Sequence, residues 1–220
     1  MINVTLTAVI SLLAVGMAHG AENITDFNNA SPTGWKTKAF VGETTYNLVE
    51  KDNQTVLKAT SHASASGLIF EQKIDLQKTP YINWQWLTEN QLSAIDEQSK
   101  SGDDYVARVY VVIDGGFALW KTKALTYVWS SNQSKGHTWD NAFAGDAVKM
   151  LAVRGKEAES NTWYTERRNV YNDLIAQFGD QGSDEANLKK YRYIDATVIM
   201  TDTDNAGGTA TAYYGDVIFN

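Results

Sequence analysis

Carboxylates are the side chains of this 220-residue chain best placed to do chemistry. Near the C-terminus, Asp202-Thr203-Asp204-Asn205-Ala206-Gly207 sets side-chain oxygens at alternate positions and ends on a glycine. Hard oxygen donors at that spacing suit calcium. With Asp216 on the returning segment, Asp202 and Asp204 form a candidate calcium site. The match to a calcium loop is partial, because Ala206 occupies the third alternate position and no Glu closes the loop. Turn chemistry, in which Asp and Asn side chains cap their own backbone, accounts for the same residues. Transition-metal sites are disfavoured: there is no cysteine, and His62 and His137 stand far apart.

Acids also serve hydrolysis. A glycoside hydrolase needs two carboxyl groups, one kept protonated by an apolar setting. Asp103, Asp104, Glu166, Asp202, Asp204 and Asp216 supply enough of them, with Asp104 and Asp202 the candidate acid and base. A Ser or Cys nucleophile lacks support, since no Gly-x-Ser-x-Gly elbow and no cysteine occur. The net charge of -7 and the want of any basic run beyond two residues exclude a nucleic-acid surface.

Aromatics form the third constellation. Trp84 and Trp86 share a parity, as do Arg108 and Tyr110, and as do Leu125, Tyr127 and Trp129. Were these strands neighbours in matching register, Trp84, Trp86, Arg108, Tyr110, Tyr127 and Trp129 would make a binding face for a glycan. Indoles stack on the apolar faces of sugar rings, while a guanidinium and phenols bond the hydroxyls. The same aromatics would serve as core, in an envelope structural or interaction protein. An inward Arg108 argues against a plain core and needs an acid, either Asp103, Asp104 or one from the C-terminal loop.

The elements that position these residues are strands. Period-two alternation marks 44–50, 54–60, 67–76, 81–88, 105–113, 123–129, 148–154 and 162–170, and a hairpin spans 196–219. Pro80 suits a strand start, where no amide donor is needed. Tyr105–Ile113 is apolar on both faces and so predicts a central strand. Helix signals are confined to Tyr171–Phe178, ending at Gly179, and Asp184–Tyr191, capped by Ser183. The pattern predicts a mainly all-β, jelly-roll-like sandwich of two sheets with one or two short helices.

Residues 1–20 stand apart. An apolar stretch at Ile10–Met17 followed by Ala18-His19-Gly20 predicts a signal peptide cut after Gly20, leaving one domain over 21–220. The apolar run is too short for a bilayer span. A bacterial periplasmic or secreted location fits an exported chain with no disulfides.

Trp84-Gln85-Trp86, Gly102–Val112 (GDDYVARVYVV), Ala124–Ser131 (ALTYVWSS) and the MTDTDNAGG and AYYGDVIF segments resemble an uncharacterised family of secreted bacterial proteins, domain of unknown function 3047. The resemblance spans nearly all of the chain after Gly20. It implies export and a single domain, and brings no catalytic residue with it. The arrangement is also similar to jelly-roll carbohydrate-binding modules, whose last strand often holds an acid near a structural calcium, the place of Asp216 here. That likeness implies a fold, not a function.

Overall fold

The computed structural model describes residues 20–28, 34–93, 95–116 and 122–220. The expected signal peptide therefore lies, Gly20 apart, outside the described residues. The short β1 (Glu22–Asn23) leads to β2 (Trp35–Val41), β3 (Thr45–Lys51), β4 (Gln54–His62), β5 (Ala65–Phe70) and β6 (Ile74–Asp75). After β7 (Tyr81–Thr88) come β8 (Tyr105–Ile113), β9 (Lys123–Trp129), β10 (Thr138–Asn141), β11 (Gly145–Arg154) and β12 (Tyr164–Asn169). Two helices, α1 (Val170–Phe178) and α2 (Asp184–Tyr191), precede β13 (Tyr193–Ile194), β14 (Ala196–Asp202), β15 (Thr209–Tyr214) and β16 (Ile218–Phe219).

Two seven-stranded sheets form a sandwich. The first runs β1-β16-β7-β15-β4-β3, with β12 added to β7, and the second runs β10-β11-β9-β8-β14-β5-β2. Every pairing among the described strands is antiparallel except that of β11 with β9. The chain makes that exception by leaving β9 for the edge, laying down β10, and returning as β11 between the two. The expected central strand 105–113 is β8, flanked by β9 and β14. Edge strand β2 falls on WKTKAFV, too polar to be noticed as a strand; lysines on an edge discourage further pairing. Both helices take the expected caps: Ser183 accepts the Ala186 amide, and Gly179 ends α1 at φ 93°. Asn169 caps the start of α1 by accepting the Asn172 amide.

The core lies between the sheets. Ile82, Trp84 and Trp86 of β7 face Val109, Val111, Leu125, Tyr127 and Trp129 of β8 and β9. Their rings make a continuous stack, with centroids 5.4 Å apart for Trp84–Tyr127 and 5.8 Å for Trp86–Trp129. Such pairs add roughly 0.5–1.5 kcal/mol each beyond the burial of their area. Polar ends are met at the margins. Trp86 Nε1 donates to Glu166 at 3.0 Å, and the Tyr127 hydroxyl donates to Asp173 at 3.0 Å.

This arrangement corrects the aromatic binding face. Trp84, Trp86, Tyr127 and Trp129 are each at most 2% exposed and belong to the core. The reason is register. Val109 pairs with Tyr127, whereas Arg108 pairs with Val128 and Tyr110 with Thr126. Paired residues share a face, so Arg108 and Tyr110 leave the sheet on the side opposite Tyr127 and Trp129. Arg108 is outward, and of the six expected residues only it and Tyr110 remain available to a ligand.

Candidate functional site

On the outer face of the second sheet lies a cavity of about 430 Å³. Arg108 and Tyr110 of β8, Thr126 of β9 and Met200 and Asp202 of β14 furnish its floor. Gly67 of β5 leaves room beside them: a Cβ there would come 3.1 Å from Val198 Cγ1 and 3.5 Å from the Tyr110 hydroxyl. At the rim stand Phe40 and Phe143, 54% and 57% exposed.

The floor is ionic. Arg108 Nη2 meets Asp202 Oδ2 at 2.7 Å, with the two side chains 12% and 1% exposed. Asp202 is thus the acid that Arg108 requires. The guanidinium also lies over the Tyr105 ring, 5.2 Å from its centroid. Burial, opposed by Arg108 and reinforced by Asp104, Asp103 and Asp204, pushes the Asp202 carboxyl well above the usual carboxylate range. Burial likewise raises Asp103 and Asp204.

Two loops are tied to this floor by side-chain hydrogen bonds. Asp103 accepts Asn141 Nδ2 on both oxygens, at 3.0 and 2.9 Å, and the Tyr105 hydroxyl at 3.1 Å. Asn141 Oδ1 in turn accepts the amides of Phe143 and Ala144, which fixes the turn that carries the Phe143 ring. Asp104 holds the other loop by accepting the amides of Asn205 at 3.0 Å and Ala206 at 2.7 Å. Gly207 and Gly208, at φ 77° and 105°, complete that loop in a conformation that other residues resist. Since β8 and β14 are antiparallel neighbours, the start of one meets the end of the other. That brings Asp103 and Asp104 to Asp202 and Asp204.

Asp104, Asp202 and Asp204 each place one carboxylate oxygen within 4.8 Å of the other two. Asp216, expected beside Asp202 and Asp204, lies elsewhere. β15 carries the chain away from the loop, and Asp216 accepts the Thr25 hydroxyl and Phe27 amide, both at 2.9 Å, and Asn23 Nδ2 at 3.0 Å. It fastens the segment after β1 to the end of the chain. Asp104 and Asp202 also fail as an acid–base pair across a glycosidic bond. Asp104 is fully buried, does not line the cavity, and faces Asp202 from within the same cluster, whereas such pairs flank the scissile bond.

Phe40, Asn141, Phe143 and Asn205 were not legible as site residues. The usable signal is a Phe that follows the lysines of a polar edge segment (KTKAF) or lies inside a turn (NAFAGD). Among the described residues no helix is long and apolar enough to cross a membrane.

The model of a family described as protein of unknown function, DUF3047, matches residues 33–218. The chain belongs to that family. Among proteins of curated function none matches the DUF3047 sequence. Solved structures similar to this DUF3047 chain include a family 11 carbohydrate-binding module of the cellulosomal cellulase Lic26A-Cel5E of Clostridium thermocellum. It shows 11% identity over 92% of this chain and 95% of that one, at a TM-score of 0.49. Another is a cellulase derived from Cel12A of Rhodothermus marinus, with 10% identity over 83% of this chain and 100% of that one, at a TM-score of 0.44. These are likenesses of chain course, a level at which unrelated functions coincide.

Proposed function

We propose that this DUF3047 protein is a non-catalytic domain, exported from the cytoplasm, that binds a glycan or a similar polyhydroxylated ligand in the outer cavity. One observation carries the reading: two exposed phenyl rings line a largely apolar cavity that also reaches the Arg108–Asp202 pair. A sugar presents apolar C–H faces and a rim of hydroxyls. The rings of Phe40 and Phe143 suit the faces, and Arg108, Tyr110 and Asn205 suit the hydroxyls. Exposed large apolar rings cost solvation free energy when idle and lose that cost on contact. Export rests on the apolar N-terminal stretch and its small-x-small ending.

Affinity electrophoresis against a panel of soluble polysaccharides tests this. Retardation by at least one glycan, lost in Phe143→Ala and weakened in Tyr110→Phe, is the expected result. Retardation that survives Phe143→Ala, or none across the panel, would remove the cavity from consideration.

A further inference from the structure

We propose that Asp104, Asp202 and Asp204 hold a calcium ion where β8 begins and β14 ends, behind the floor of the cavity. One oxygen of each carboxylate lies within 4.8 Å of the other two. Calcium takes oxygens at about 2.3–2.6 Å, so no two ligands of one ion stand more than about 4.6–5.2 Å apart, and three oxygens all within 4.8 Å of one another meet that limit.

The second observation concerns Asp202 alone. Its side chain is 1% exposed, Oδ2 is taken by Arg108, and Oδ1 is closed to solvent with no hydrogen-bond donor in reach. A buried carboxylate oxygen rarely stands unpartnered, because its desolvation is then uncompensated. Asp202 belongs to the triad, so that oxygen is available to a cation in the same place.

Charge leads to the same conclusion. Among the described residues, Arg108 is the cationic group that forms an ion pair with any of the three acids, and it pairs with one of them. Asp104 and Asp204 add two more carboxylates, and Asp103 adds to the field on both Asp202 and Asp204. A divalent ion neutralises what a single guanidinium leaves over. Asp104 can still coordinate: Oδ1 accepts both the Asn205 amide and Asn205 Nδ2, but Oδ2 accepts the Ala206 amide alone and keeps a further lone pair. All three donors are hard oxygens, which select calcium over softer metals.

The inference goes beyond glycan binding and is tested without sugar, so either can fail alone. The full chain, stripped with EDTA and dialysed, is titrated calorimetrically with calcium chloride. Saturable uptake of one ion per chain is expected. At calcium about 100-fold above its Kd, the melting temperature should rise by about 5–10 °C. Asp204→Asn, the least buried change, should weaken calcium about tenfold or more while melting in EDTA no lower than the unaltered chain, since one repelling charge is gone. Asp216→Asn should keep the full calcium response. Absence of saturable heat and of any melting shift in the unaltered chain would overturn the site, as would unchanged calcium affinity in Asp204→Asn.

Discussion

Trp129 and Arg108 stand on neighbouring strands of one sheet, a single register step apart, and leave it in opposite directions. Both are shielded from water, at 0% and 12% exposure, but by different means. Trp129 is covered by Trp86 and Tyr164, apolar surface on apolar surface. Arg108 is covered by an acid, a tyrosine ring and a thioether, with Met200 Sδ 3.1 Å from Nη2. The inner face therefore gains by excluding water from rings. The outer face gains only as long as charges stay matched, because an unpaired buried charge costs several kcal/mol. One face is held by packing and the other by charge balance.

The contrast breaks first at Trp86. Trp86→Ala should cost about 3–5 kcal/mol of unfolding free energy in urea, since nothing in the stack can collapse into the space of an indole. A cost under about 1 kcal/mol would mean that the ring is not the core residue its neighbours indicate. Next comes the clamp between chain ends. Asp216→Ala leaves the Phe27 amide and Asn23 Nδ2 without their acceptor, at about 1–3 kcal/mol by the same measurement, and leaves the outer cavity untouched. Phe143→Ala sharpens the contrast from the other side. An aromatic at 57% exposure should change stability by no more than about 0.5 kcal/mol while abolishing retardation by a cavity-bound glycan.

The smallest effect expected is in pH dependence. Glu97, fully buried, receives the Ser130 hydroxyl and the Ser131 amide beside the loop that leads into β8. Burial outweighs those hydrogen bonds and raises its carboxyl above the ordinary value. The native state then binds the proton more tightly than the unfolded chain does. The associated stability is present below the unfolded value, about 4.3, and is lost as pH climbs through the raised one. Urea melts at a series of pH values above about 4 should show that loss, and Glu97→Gln should flatten it.

The pattern of alternation revealed which residues share a strand face, and it did so correctly for Trp84 with Trp86 and for Tyr127 with Trp129. It left open which face points inward. β8 is apolar on both sides, so parity alone does not separate Arg108 and Tyr110 from the rings on the other side of the sheet. Pairing order was hidden too. Nothing local marks β11 as the parallel neighbour of β9, or Asp103-Asp104 as the neighbour of Asp202 across β8 and β14, because periodicity within one strand says nothing of which other strand it pairs with. Conversely, the Asn- and Gly-rich loop and the ends of the helices at Gly179 and Ser183 are legible, since their causes are local: glycine at positive φ and a serine accepting an amide.

The pairing of β1 with β16 has a consequence for presentation. Glu22 lies opposite Phe219, so both ends of the described fold emerge side by side from the first sheet, while the cavity opens from the far side of the second. A tether at either terminus would hold the domain by its back and leave the cavity facing outward. The same adjacency makes the fold a natural candidate for circular permutation, with new ends opened at a surface turn and a short bridge joining the old ones.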